Sequence, residues 1–181
     1  NNFSTTGGIS NISNLNSGAS AGGYQDATAM VVSQFDGGAP IAFNADFVGG
    51  TFGFNIWVDW NNDLVFDNAT EKVYASGGYV DPATGSFNLP GGTPIGEYRM
   101  RIVADWGETN PDACGSSAYL EAEDYTFEVI AQPTCLPVTA ITVDSTAADA
   151  LLVSWVAGGT EGSWNIEYGE VGFVQGTGTT D

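Results

Sequence analysis

Eight oxygen-bearing side chains crowd one thirteen-residue stretch, from Asp59 to Glu71, and five of them stand at places that could ligate one ion. Asp59, Asn61 and Asp63 take its first, third and fifth places, the backbone carbonyl of Val65 the seventh, and Asp67 the ninth. Alternate residues can turn their oxygens toward one centre, which is how a wrapping loop encloses a calcium ion (Ca2+). Glu71 falls at the thirteenth place, one later than in the helix–loop–helix version of such loops. Leu64 occupies the place where glycine makes the sharp turn, so a strained positive φ is expected there. A dense cage of protein oxygens suits calcium better than magnesium, which gives up its water reluctantly. With no histidine in the chain, transition metals are poorly served. The competing reading is an acidic turn whose Asp and Asn side chains cap backbone amides in water.

A second acidic cluster, Glu121, Glu123 and Asp124, precedes Tyr125. In a strand, 121 and 123 share a face with Tyr125 and Asp124 points the other way. Glu121 or Glu123 pairing with Arg99 or Arg101 on a neighbouring strand is the expected structural role. The alternative is that one of the three completes the calcium shell. Catalysis is not expected. Without histidine there is no Ser-His or Cys-His nucleophile pair, and no segment carries a hydrolase motif that would set two carboxylates across a sugar bond. Of the tryptophans, Trp60, Trp106 and Trp155 are expected in cores, while Trp57 and Trp164 lie on the opposite parity and are the candidate glycan contacts. Cys114 and Cys135 are not in a Cys-x-x-Cys metal spacing, so a disulfide formed in an oxidising compartment is expected.

The elements that must position these groups are short strands. In Phe54-Asn55-Ile56-Trp57-Val58-Asp59-Trp60, residues 54, 56, 58 and 60 fall on one face. Tyr98 to Trp106 alternates in the same way, with Tyr98, Met100, Ile102, Ala104 and Trp106 together, and Tyr125, Phe127 and Val129 mark a third strand. Turn signals separate them at Gly77-Gly78, Asp81-Pro82, Pro90-Gly91-Gly92 and Asn110-Pro111. Residues 1–23 read as an irregular or edge-strand lead-in, and no amphipathic helix is found. The prolines of Gln132-Pro133-Thr134-Cys135-Leu136-Pro137 mark a linker. Three further short strands follow it, at 140–143, 151–155 and 164–168. The fold expected is all-β: an antiparallel β-sandwich of jelly-roll or immunoglobulin-like type, then an incomplete second sandwich.

Charge narrows the partners. The 181 residues carry 22 carboxylates against three cations, Lys72, Arg99 and Arg101, for a formal charge of −19. A nucleic-acid binder needs a basic footprint, so nucleic acid is excluded, and anionic membrane surfaces would repel the chain. No stretch is apolar enough to insert into a bilayer, and residues 1–23 lack a signal-peptide pattern. The chain is therefore read as a mature or internal piece of an exported protein.

Ile56-Trp57-Val58-Asp59-Trp60-Asn61-Asn62-Asp63, Phe66-Asp67 and Glu71, with Tyr98-Arg99-Met100-Arg101 and Glu121-Ala122-Glu123-Asp124-Tyr125, resemble the GEVED domain of secreted proteins from Bacteroidetes-type bacteria. Leu120 and Ala122 replace the glycine and valine of its namesake motif, and Tyr24-Gln25-Asp26 resembles its N-terminal Tyr-x-Asp. From Cys135 on, with Trp155 and Tyr168, the chain resembles the opening of a fibronectin type III domain. The domains implied are a GEVED-like sandwich over 1–131 and a partial fibronectin type III-like domain over 132–181. The second should not fold alone, so continuation past Asp181 or a pairing chain is expected. The resemblance implies a non-catalytic structural or adhesion module of a long secreted or cell-surface protein, exported by the type IX route. Its partners would be neighbouring domains of the same chain, a surface glycan, or another surface or secretion-system protein. The alternative function is a carbohydrate-binding accessory module of a secreted hydrolase or protease.

Overall fold

The computed structural model describes residues 1–133, 138–147, 150–159, 161–174 and 176–180. The chain divides into two compact units, Asn1–Gln132 and Pro133–Asp181. Among the described residues all regular structure is strand. The first unit holds β1 (Asn2–Thr6), β2 (Ser13–Leu15), β3 (Tyr24–Gln34), β4 (Ile41–Asp46), β5 (Gly53–Val58), β6 (Lys72–Ala75), β7 (Ala83–Phe87), β8 (Gly96–Asp105) and β9 (Leu120–Val129).

These nine strands form two sheets, in the orders β2-β1-β4-β7 and β3-β9-β8-β5-β6. Their inner faces share one core, which makes the unit a β-sandwich. Phe54, Ile56 and Val58 of β5, Tyr98, Met100 and Ile102 of β8, and Tyr125, Phe127 and Val129 of β9 come from the five-stranded sheet. Phe3 of β1 and Ile41, Phe43 and Ala45 of β4 face them from the other. Aromatic rings meet edge-on or tilted across the middle, with Phe43 and Tyr74 at 4.7 Å and Phe3 and Tyr125 at 5.2 Å between centroids.

Two expectations need correction here. Residues 1–23 are not merely a lead-in: β1 is an interior strand, paired with β2 on one side and β4 on the other. Phe3 is its one large apolar residue, too little to reveal a strand by periodicity. The sandwich is also not wholly antiparallel, because β3 runs parallel to β9. A parallel pair needs a long crossover, and the chain between Gln34 and Leu120 supplies it.

The outer face of the five-stranded sheet is covered too. Trp57, Val103, Ala113 and Ala122 form a second buried cluster, with Phe66 and Leu120 packed against it. Phe66 comes from the acidic loop and Ala113 from the segment between β8 and β9. Asn55 donates to Asn110 Oδ1 at 2.9 Å and to the Pro111 carbonyl at 2.8 Å. β5 is therefore buried at all six positions, on both faces. Trp57, expected as a glycan contact, is 0% exposed. Its indole donates to Asn68 Oδ1 at 3.0 Å, and Lys72 Nζ lies 4.8 Å from its ring centre. Burying such a ring stabilises the fold by about 2–3 kcal/mol, and no face is left for a sugar. Trp106 shows the reverse. β8 ends at Asp105, so Trp106 runs past the sheet and is 55% exposed instead of lying in the core.

The second unit has β10 (Thr139–Ala147) paired antiparallel with β11 (Ala150–Val156), and β12 (Glu167–Tyr168) with β13 (Thr179–Thr180). Trp155 and Trp164 meet edge to face at 5.4 Å. Trp164, the other candidate glycan contact, keeps 39% of its surface exposed.

Candidate metal site

β5 delivers the acidic loop from a fixed point. The Asp59 amide donates to the Arg99 carbonyl of β8 at 2.9 Å, and the Asp59 side chain is buried. Its two oxygens accept from the amides of Asp63, at 3.2 Å, and Leu64, at 3.0 Å. Asn61 Oδ1 accepts from the Asp63 amide at 2.9 Å, and Asn61 Nδ2 donates to Asp63 Oδ2 at 3.1 Å. Asp59, Asn61 and Asp63 thus curl around one short turn. Two residues take the left-handed backbone to make it: Asn62, with φ 55°, and Leu64, with φ 69°. Asparagine tolerates that region, whereas leucine is strained in it. The Leu64 side chain is exposed, so packing does not offset the strain.

The far end of the loop closes on Glu71. Its backbone joins β5, with the Val58 amide donating to the Glu71 carbonyl at 3.0 Å. Its side chain is buried, and Oε2 accepts from the Asp67 amide at 2.8 Å. The other oxygen, Oε1, is buried and makes no contact of hydrogen-bond geometry. Burial pushes the Glu71 carboxyl above the ordinary carboxylate range; the Asp67 amide and, more weakly, the Asn61 amide oppose this, and the charges of Asp59 and Asp63 add to it. Asp67 behaves differently. Its Oδ1 caps Thr70 Oγ1, Thr70 N and Ala69 N, which lowers its pKa in an exposed position. Val65 is exposed, and its amide donates to Asp63 Oδ1 at 2.9 Å.

Among the described residues no three His, Cys, Asp or Glu side chains converge into a ready-made metal cage. The donor set fits a cation in a more limited way. Asp59, Asn61 and Asp63 share one turn, and Glu71 presents an unpaired buried oxygen whose charge is felt by, and repelled by, Asp59 and Asp63. No Lys or Arg side chain among the described residues pairs with them. The ion pairs among the described residues join Arg99 and Arg101 to Asp124, and Lys72 reaches Asn110 Oδ1 at 3.3 Å and the Trp57 ring. Hard oxygen ligands of this kind suit calcium.

The second acidic cluster is fully engaged elsewhere. Arg99 and Arg101 pair with Asp124, not with Glu121 or Glu123 as expected. In the β8–β9 register Arg101 faces Asp124, and both point to the outer side of the sheet. Arg101 grips the carboxylate with Nε at 2.6 Å and Nη2 at 2.8 Å; Arg99 adds a contact at 2.9 Å and Tyr24 OH one at 3.0 Å. Burial pushes Asp124 up, but the hydrogen bonds from Arg101 and Arg99 together outweigh it and hold the group below the usual range. Glu123 points inward, where Tyr125 OH donates to it and Asn14 donates to that hydroxyl at 2.9 Å. Burial raises the Glu123 pKa. Glu121 accepts from Ser20 N at 2.8 Å and Asn1 Nδ2 at 2.9 Å. None of the three turns to the loop at 59–71. Sequence reasoning missed Tyr24 and Asn68 as partners; the opposite parities of 123 and 124 were the available signal for Asp124.

Residues 53–128 match the GEVED domain. The match opens on the first residue of β5 and closes within β9, so it takes in the acidic loop, the Arg99–Arg101 strand and Glu121 to Tyr125. The GEVED span thus holds both acidic regions, while β1–β4 lie outside it. No curated protein and no solved structure matches the chain. Cys114 is exposed, 3.9 Å from Arg101 Nη1, and its expected partner Cys135 lies outside the described residues.

Proposed function

We propose that this chain is a non-catalytic, calcium-stabilised structural or adhesion module of a large secreted or cell-surface protein. The observation that carries the reading is the buried Glu71 Oε1, without a hydrogen-bond contact, closing a loop of Asp59, Asn61 and Asp63 with which no Lys or Arg side chain among the described residues pairs. Calcium supplies positive charge and a shell of six to eight oxygen ligands. Asp59, Asn61, Asp63 and Glu71 would hold it, with the Val65 carbonyl and Asp67 as the remaining candidates. Bound there, the ion would join the end of β5 to the start of β6. It would also hold Phe66 and Asn68 over Trp57.

An extracellular setting supports the calcium reading, because calcium is abundant there, and it agrees with the expected Cys114–Cys135 disulfide. The Bacteroidetes-type origin, type IX export and fibronectin type III character of residues 132–181 belong to the same proposal and rest on sequence resemblance. Calorimetric titration of chelator-stripped protein with calcium chloride tests it. One site filled by calcium and ignored by equimolar magnesium supports the reading, and no heat above dilution removes it.

A further inference from the structure

The inner face of the five-stranded sheet changes character along its length. Facing pairs across β8 and β9 run Tyr98/Phe127, Met100/Tyr125, Ile102/Glu123 and Ala104/Glu121. Trp106 and Tyr119 come next, their backbones joined at 3.5 Å just past the last ladder pair, Asp105 with Leu120. The row therefore passes from buried apolar rings, through two carboxylates and a small alanine, to an exposed aromatic pair. A cleft of about 790 Å³ opens at this end of the sandwich, lined by Phe52, Ala104, Tyr119, Glu121, Ser20 and Asn1 among others. That volume is in the range of small-ligand sites. Ala104 makes the room: a larger side chain at this inward position would fill the space.

The aromatic end is held in place from beneath. Asp105 is buried, and its Oδ1 accepts from the Gly107 amide at 2.7 Å and from Ser117 Oγ at 3.4 Å. These bonds anchor both ends of the connection that carries Trp106 and Tyr119. The two rings meet edge to face at 5.4 Å with 55% and 61% of their surfaces exposed. Glu121 is fixed by Ser20 and Asn1, and Asn1 Oδ1 accepts from the Val48 amide at 3.3 Å.

From this arrangement we infer that the cleft binds a neutral oligosaccharide. A sugar presents a C–H face that packs on an aromatic ring and hydroxyls that pair with carboxylate, amide and backbone groups. The cleft offers that combination. Lys72, Arg99 and Arg101 all lie outside the cleft lining, and a carboxylate lines the wall, which disfavours an anionic ligand. Glu121 already holds two donors, which disfavours it as the sole counter-charge for a cationic peptide. The inference does not depend on the calcium reading, and it moves the glycan contact from Trp57 and Trp164 to Tyr119, which lines the cleft, with Trp106 packed edge-on against it just outside the lining.

The test is affinity electrophoresis of the intact chain in gels containing a neutral β-glucan, xylan, galactomannan or α-glucan, with and without calcium. At least one polysaccharide should retard the protein. Trp106→Ala and Tyr119→Ala should each weaken that binding about tenfold or more, whereas Trp164→Ala should leave it unchanged. Ala104→Leu, which fills the cleft and spares both rings, should also abolish it, and covers the case in which a ring variant fails to fold. Migration unchanged in every gel overturns the inference. So does retardation that survives both ring substitutions, or binding of a lysine-rich peptide in place of every glycan.

Discussion

The molecule treats its two acidic regions in opposite ways. At 121–124 every carboxylate is answered from within the chain: Asp124 by two arginines and a tyrosine, Glu123 by Tyr125, Glu121 by Ser20 and Asn1. At 59–71 the carboxylates answer only to backbone amides, Asn61 and Thr70, and Glu71 keeps a buried oxygen with no hydrogen-bond partner. A buried charge without a partner costs free energy of several kcal/mol unless it takes up a proton or meets a cation. The difference teaches where to look for an external ion. Acidity alone, which both regions share, does not mark the site; the missing partner does.

The largest expected effect breaks the satisfied side. Asp124→Ala leaves Arg101 partly buried without its carboxylate and should cost about 3 kcal/mol. That is roughly 10 °C in melting temperature. Arg99, whose side chain is 46% exposed, should contribute much less, so Arg99→Ala should cost under about 1 kcal/mol. Urea melts of the two variants measure both. Each should keep the calcium response of the parent, since neither removes a candidate ligand of the loop. Loss of that response in Asp124→Ala would join the two regions into one system, through Arg101, whose guanidinium lies 4.9 Å from the centre of the Phe66 ring.

Glu71→Gln acts on the unsatisfied side, and its sign depends on the metal. The raised Glu71 pKa means that in metal-free protein its contribution is full below about pH 4.5, the unfolded value, and is lost as pH rises through the folded pKa. Asp124 has the opposite sense: its stabilisation is present above 3.8 and lost as pH falls through its lowered folded value. Metal-free Glu71→Gln should therefore be more stable than the parent by about 1–2 kcal/mol at neutral pH, with a flatter profile above pH 4.5. The buried Glu123 leaves some of that slope in place. In calcium the order should reverse. Chemical denaturation across pH, with chelator and with calcium, reads both signs.

The smallest effect concerns the turn. Leu64 holds φ 69° with an exposed side chain, so Leu64→Gly should relieve strain and stabilise by about 0.5–1 kcal/mol after the added flexibility of the unfolded chain. A thermal melt showing a loss instead would mean that the leucine packs on something in the folded state.

The strands read at 54–60, 98–106 and 125–129 fall on β5, β8 and β9, and they were legible because their apolar residues alternate. β1 and β4 were not: Phe3 stands alone among polar residues, and Ile41-Ala42-Phe43-Asn44-Ala45 is short and partly small. The strained turn at Leu64 was legible from its place in the acidic loop, and its φ of 69° is the conformation expected there. What periodicity could not give is which second layer covers the outward side of a strand. Trp57 has outward parity, and the loops carrying Phe66 and Ala113 bury it. Trp106 has inward parity and escapes burial because the sheet ends one residue earlier. The Asp124 pairing follows from a register across β8 and β9 that only the folded sheet fixes.

The most direct test of the central claim is a thermal melt of chelator-stripped protein, repeated with millimolar calcium and again with millimolar magnesium. Binding to the folded state alone, at a hundredfold excess over Kd, stabilises by about 2.7 kcal/mol. The first unit should then melt roughly 5 °C or more higher in calcium, and magnesium should do much less. Asp59→Ala or Asp63→Ala should erase the shift. Superimposed curves for stripped and calcium-loaded protein would contradict the account and leave residues 59–71 as an acidic turn solvated by water.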